Sequence, residues 1–121
     1  MSPGSTPSLI AAAAKFDLPL LPGAATASEA MYLLEKGFLF QKFFPAETSG
    51  GAKALGAFAA PLPTIRFCPT GGINETNAVT YLSLPNVVCA GGSWMAPKAL
   101  IAKRAWAEIT QIARLAADLR P

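Results

Sequence analysis

Lys42 stands inside an aromatic run, "FLFQKFFPAE" from Phe38 to Glu47. An ammonium in such surroundings must be paired, neutralised or carried to water. Side chains of a strand alternate between faces, so Phe40, Lys42 and Phe44 share one face and Leu39, Gln41 and Phe43 the other. If the first set points into a barrel, Lys42 sits among aromatic rings near the C-terminal end of its strand, where barrel active sites lie, and Gln41 faces the helix layer. A lysine at its ordinary pKa of about 10.4 leaves roughly one amine in 2,500 neutral at pH 7. Nucleophilic catalysis therefore needs that value lowered, which desolvation does. The same position also suits a lysine paired with a carboxylate or snorkelling to the strand end.

Two glycine turns are the second chemical signal: "PTGG" from Pro69 to Gly72 and "AGGS" from Ala90 to Ser93. Glycine lets backbone N–H groups approach an anion, and a following helix N-terminus favours negative charge. In eight-stranded barrels a phosphate site is often built from the loops after strands seven and eight. A phosphorylated ligand is the expectation, against the plainer reading that these glycines only make tight turns.

The elements that must position these groups are legible as a repeat. Four apolar strand candidates, residues 18–23, 38–46, 64–72 and 86–92, each end in a small-residue turn, at a spacing of about 23 residues. Helical segments lie between them, which predicts repeated βα units and a parallel sheet. Thr26 and Glu29 form a capping-box pattern opening a helix that runs to Gly37. Ser49 and Asn74 are the expected N-caps of the next two helices. A last helix from about Pro97 to Leu119 places Trp106, Ile109, Ile112, Ala113, Ala116 and Leu119 on one face.

A parallel sheet needs cover on both faces. Four units of about 23 residues make half of an eight-unit barrel, so the expected fold is α/β, the C-terminal half of a (β/α)8 TIM barrel forming a single partial domain over residues 1–121. The opening "MSPG" begins directly with a turn, as though a strand had preceded it. The alternative is a small open α/β sandwich complete in itself. Composition favours the half barrel: hydrophobic residues make up 52% and charged ones 14%, too little charge for a freely exposed surface. A half barrel leaves an apolar inner face to be covered.

Composition also narrows the function. The net charge is +3, with four Arg and six Lys dispersed along the chain, which gives nucleic-acid binding little support. No run of 18 apolar residues predicts a membrane span. The absence of a basic segment ahead of the first apolar stretch argues against a secretory signal, and the chain is read as cytoplasmic. Cys68 and Cys89 read as buried free thiols of a reducing compartment. With no histidine, the commonest transition-metal ligand and the usual acid–base residue are both missing.

"KFFPAE" at 42–47, "RFCPTGGI" at 66–73 and "GGSW" at 91–94, with "PLLPGAATASEAM" at 19–31, together resemble the 2-keto-3-deoxy-6-phosphogluconate (KDPG) and 4-hydroxy-2-oxoglutarate (KHG) aldolase family. The resemblance runs through the whole chain. It implies a class I, Schiff-base aldolase of the Entner-Doudoroff pathway that uses no cofactor and no metal and takes a small phosphorylated keto acid. By the resemblance Lys42 is the Schiff-base lysine, Thr70 hydrogen-bonds the pyruvyl part of the substrate, and Phe44 and Pro45 shape the pocket. Gly71, Gly72, Gly92 and Ser93 match the phosphate-binding positions.

Glu47, five residues after Lys42, is not given the role of base. In the family the acid–base glutamate and the carboxylate-binding arginine come from N-terminal strands, which this stretch is not expected to contain. Without general acid–base help a chain loses typically 10²–10⁴-fold in rate, so weak activity or none is expected of it alone. Family members are homotrimers, whereas this chain is expected to self-associate through its exposed inner face. The competing reading is a non-catalytic phosphosugar-binding or half-barrel assembly module, which would need neither Lys42 nor Thr70.

Overall fold

The computed structural model describes residues 1–119. Its centre is a three-stranded parallel sheet in the order β1 (Gly23–Ala24), β2 (Phe40–Phe43), β3 (Arg66–Pro69). Lys42 stands in register with Gly23 on one side and Cys68 on the other. Helix α1 (Pro7–Lys15) precedes the sheet, α2 (Ala27–Glu35) and α3 (Gly51–Ala57) make the crossovers, and α4 (Ala78–Leu82) follows β3. The chain then passes a 3₁₀ turn at Ser93–Met95 and ends in α5 (Lys98–Ala102) and α6 (Trp106–Ala117).

Two of the four expected strands are much reduced. Of residues 18–23 only the end pairs, because Pro19 and Pro22 have no N–H to give a ladder; the Pro22 carbonyl still accepts from Lys42 N at 2.8 Å. Residues 86–92 run parallel to β3 but touch it only at the Phe67–Val87 and Thr70–Gly91 bridges. Those bridges are three residues apart on one side and four on the other, and the extra residue breaks the ladder as a bulge does. The segment is anchored instead by buried Asn86, whose side-chain nitrogen donates to Leu55 O at 2.9 Å and whose backbone carbonyl accepts from Phe67 N.

One face of the sheet is covered. Gln41, Phe43 and Phe67 are fully buried beneath the helices, and the rings of Phe43, Phe58 and Phe67 pack against one another with centroids 6.1–6.4 Å apart. Gln41 does face the helix layer as expected. Its amide nitrogen donates to Ala30 O and Phe38 O, both at 3.0 Å, which offsets the cost of burying that donor. The opposite face is open: Phe40 is 57% and Val88 52% exposed beside half-buried Lys42. Among the described residues no helix is long and apolar enough to cross a membrane.

Helix ends follow local chemistry, with three corrections. Gly50, at φ +100°, rather than the Ser49 side chain, begins α3. Asn74 caps a turn, accepting from Thr76 N and Asn77 N, and α4 starts only at Ala78. The single final helix is instead two, because Arg104 takes a φ of +54° and Ala105 N bonds back to Leu100 O at 2.9 Å. On α6, Ile109, Ile112 and Ala116 are half-buried along the expected face, as is Leu119 beyond its end, whereas Trp106 and Ala113 are exposed.

The capping box of α2 is present: Glu29 N donates to Thr26 Oγ1 at 3.3 Å, and Glu29 Oε2 accepts from Thr26 N at 3.0 Å and from Ala25 N at 2.8 Å. The Ala25 N–H holds the Glu29 carboxyl below its usual range, and burial only partly opposes it. A depressed folded-state pKa stabilises above the ordinary glutamate value of about 4.3, and that contribution is lost as pH falls through the folded value. Glu29→Gln is therefore expected to melt below the wild type at pH 7, with the gap closing as pH drops under about 4. Thermal melts across pH check this, and a gap that stays constant down to pH 2 would contradict it.

Candidate active site

Past its last residue, β2 continues into a turn that remains bonded to the turn after β3. Thr70 N donates to Phe43 O at 3.0 Å, Ala46 N to Thr70 O at 2.8 Å, and Glu47 N to Gly71 O at 3.1 Å. The Phe44–Pro45 peptide is cis. Gly91 N donates to Pro69 O at 3.0 Å, bringing the second glycine turn alongside the first. A cavity of about 760 Å³ opens where the turns meet, within the usual size of a small-molecule site. Lys42, Phe44, Thr70, Gly71, Gly72, Gly92 and Ser93 all line it.

Lys42 Nζ lies 4.5 Å from the centroid of the Phe44 ring, a cation–π distance, and 3.8 Å from the Met1 sulfur. Its side chain is half-buried, so the enclosing aromatic cage expected from the sequence reduces here to the Phe44 ring, and Phe40 is turned largely to solvent. Thr70 Oγ1 is buried at the cavity edge with no hydrogen-bond partner among the described residues. Pro45 does not line the cavity. It stands behind Gly71, where an added Cβ would come within 3.1 Å of both Pro45 Cα and the Phe44 ring.

The first glycine turn needs glycine twice. Gly71 and Gly72 have φ of +93° and +82°, and a Cβ on Gly72 would fall 2.5 Å from Glu47 Cγ. Gly92 is required by contact: a Cβ there would lie 2.0 Å from the Trp94 ring and 2.5 Å from Ile73 O. α4 is only five residues long and begins at Ala78, so the first glycine turn presents loop amides rather than a helix end.

Glu47 is turned away from the cavity and accepts a hydrogen bond from the Tyr81 hydroxyl. Burial first, and then the hydrogen bond to Glu47 and its charge, push that hydroxyl above the usual tyrosine range. Beyond the expected residues, Met1, Ile73, Asn74, Gly91, Trp94 and Met95 also line the cavity. Ile73, Gly91 and Trp94 lie inside the sequence motifs, and the Ile73 side chain is buried in the core.

With these positions established, the comparisons are decisive. The chain matches the model of the KDPG and KHG aldolase family over residues 1–112. It belongs to this family. It is 48% identical over 118 residues to the 2-dehydro-3-deoxy-phosphogluconate aldolase of Pseudomonas aeruginosa, covering 98% of this chain and 54% of that protein. To the KHG/KDPG aldolase of Escherichia coli it is 46% identical, covering 98% of this chain and 55% of the other. The chain thus spans about half the length of the curated relatives it matches. It superposes with a TM-score of 0.91, at 45% identity and over 95% of its length, on 56% of a KDPG aldolase of Legionella pneumophila that holds pyruvate as a covalent carbinolamine. A KDPG aldolase of Zymomonas mobilis with 3-phosphoglycerate matches at a TM-score of 0.86 and 42% identity, over 98% of this chain and 55% of that one.

Both cysteines are free, but only Cys68 is buried; Cys89 is exposed, contrary to the expectation of two buried thiols. Burial, and then the hydrogen bond to Cys89, push the Cys68 thiol up to about 12, with the Lys42 charge opposing. Thiolate is the reactive form. Iodoacetamide at pH 8 is expected to label Cys89 and leave Cys68 unmodified until denaturant is added, as read by peptide mass mapping. Equal labelling of both in the folded chain would contradict this placement.

Proposed function

We propose that this chain carries the nucleophile and phosphate cradle of a class I aldolase. The reaction is cleavage of 2-keto-3-deoxy-6-phosphogluconate to pyruvate and glyceraldehyde 3-phosphate, with 4-hydroxy-2-oxoglutarate, giving pyruvate and glyoxylate, as a second substrate. The observation that carries this reading is the convergence of Lys42, Thr70 and both glycine turns on one cavity. The carbinolamine in the Legionella relative and the phosphorylated acid in the Zymomonas relative support it.

In this reading the neutral Lys42 amine adds to the C2 ketone and forms a carbinolamine, and loss of water leaves an iminium ion. The C3–C4 bond then breaks as the C4 hydroxyl gives up its proton, and the bonding pair moves into the iminium. Glyceraldehyde 3-phosphate departs. The remaining enamine is protonated at C3, and water hydrolyses the imine to pyruvate and the free lysine. Thr70 Oγ1, without a partner among the described residues, would hydrogen-bond the pyruvyl oxygens. Amides of Gly71, Gly72 and Gly92 and the Ser93 hydroxyl are the phosphate donors. Phe44 walls the imine, and Pro45 acts by supporting Gly71. Glu47, committed to Tyr81, is not the base.

Borohydride reduction with pyruvate followed by peptide mapping tests this. A reduced pyruvyl adduct on Lys42, absent in Lys42→Ala, is expected. A folded chain that gives no adduct would overturn the assignment of catalytic chemistry to this chain and favour a binding or assembly module.

We further propose that the chain is the C-terminal half of an eight-unit barrel whose other strands cover the open sheet face. Its match to 56% of the Legionella structure supports this, as does exposure of Phe40 and Val88 on that face. The free thiols at Cys68 and Cys89 fit a reducing, cytoplasmic setting. By itself the chain is expected to pair through the uncovered face rather than assemble as the homotrimer of full barrels. Sedimentation velocity is expected to show dimers or larger species, and a monodisperse monomer that melts cooperatively would contradict it.

A further inference from the structure

Which way the amides of the first glycine turn point is set by what holds its carbonyls. In a trans peptide unit the C=O and the next residue's N–H point to opposite sides. Thr70 O accepts from Ala46 N at 2.8 Å and Gly71 O from Glu47 N at 3.1 Å. Gly72 O accepts from the side-chain amide of Asn77 at 3.0 Å. Neither Ala46, Glu47 nor Asn77 lines the cavity, whereas Gly71, Gly72 and Ile73 all do. Three carbonyls pinned at the back therefore turn three successive N–H groups, those of Gly71, Gly72 and Ile73, toward the cavity. None of these three N–H groups has an acceptor among the described residues.

We propose that Asn77 is a positioning residue of the anion site, and that by holding Gly72 O it aims Ile73 N–H as a third backbone donor to the phosphate. This rests on the phosphate-cradle reading above. Asn77 is itself oriented by a second bond: its Oδ1 accepts from Asn74 N at 2.8 Å. Its side-chain nitrogen is thereby directed at Gly72 O. The carbonyls that orient the first two amides accept from backbone donors, which no side-chain substitution removes. The third depends on one side chain.

The test is a titration of the ¹⁵N-labelled 121-residue chain with inorganic phosphate at constant ionic strength, followed by amide chemical shifts. In the wild type the amides of Gly71, Gly72 and Ile73 are expected to move together and saturate at one phosphate concentration. In Asn77→Ala the Ile73 amide should stop following phosphate while Gly71 still does, with affinity about three- to tenfold weaker, the range of one hydrogen bond. A merely structural role for Asn77 would instead weaken all three responses together, and that result overturns the proposal. So does a wild-type Ile73 amide that stays still while Gly71 and Gly72 shift, a readout that decides even if Asn77→Ala does not fold. An Asn77→Ala chain that titrates as the wild type overturns it as well. If none of the three amides moves in the wild type, the phosphate-cradle reading itself fails and this inference falls with it.

Discussion

The site depends on the bonding between β2 and β3 not stopping where the strands end. Thr70 N reaches Phe43 O, and the peptides of Ala46 and Glu47 then hold the carbonyls of Thr70 and Gly71. Those few bonds place the Lys42 amine and the glycine amides on one cavity. An amine alone is a weak signal of chemistry, and so is a glycine turn. In the proposed reading, a nucleophile and an anion cradle held in fixed relation would bind the two ends of one substrate and give the orientation that makes covalent catalysis efficient.

The same bonding explains the choice of residues around the turn. Positive φ at Gly71 and Gly72 turns the chain sharply, and the space a side chain would need is taken by Phe44, Pro45 and Glu47. Glu47 serves the turn from behind: its N–H holds Gly71 O, and its carboxylate is bonded to the hydroxyl of the buried Tyr81. A carboxylate near the lysine in sequence is thus committed to structure.

A sheet with one covered face has two electrostatic regimes. Beneath the helices a buried donor needs a partner, and the amide nitrogens of Gln41 and Asn86 find theirs in backbone carbonyls, while their side-chain oxygens have none among the described residues. On the open side Lys42 keeps its contact with water, while Phe40 and Val88 expose apolar area that the helices do not reach. Full desolvation of the amine would need cover from outside the residues described.

Sequence alone determined the βα order, the capping box at Thr26 and Glu29, and the face shared by Phe40, Lys42 and Phe44, because periodicity, capping and turn chemistry are local properties; its motifs also held most of the residues that line the cavity. It overestimated residues 18–23 and 86–92 as strands, since apolar character does not report whether a ladder can form. In the first the prolines remove donors, and in the second the extra residue before Gly91 breaks the pairing. It did not see that Arg104 would end a helix or that Asn74 would cap a turn three residues ahead of Asn77. Tertiary structure alone decided that Glu47 turns to Tyr81, that Pro45 stands behind Gly71, and that Asn77 reaches back to Gly72. Each of these joins residues of different segments across space, and the direction of a peptide N–H, on which the proposed anion site depends, is set by the partner of the preceding carbonyl rather than by any side chain of its own.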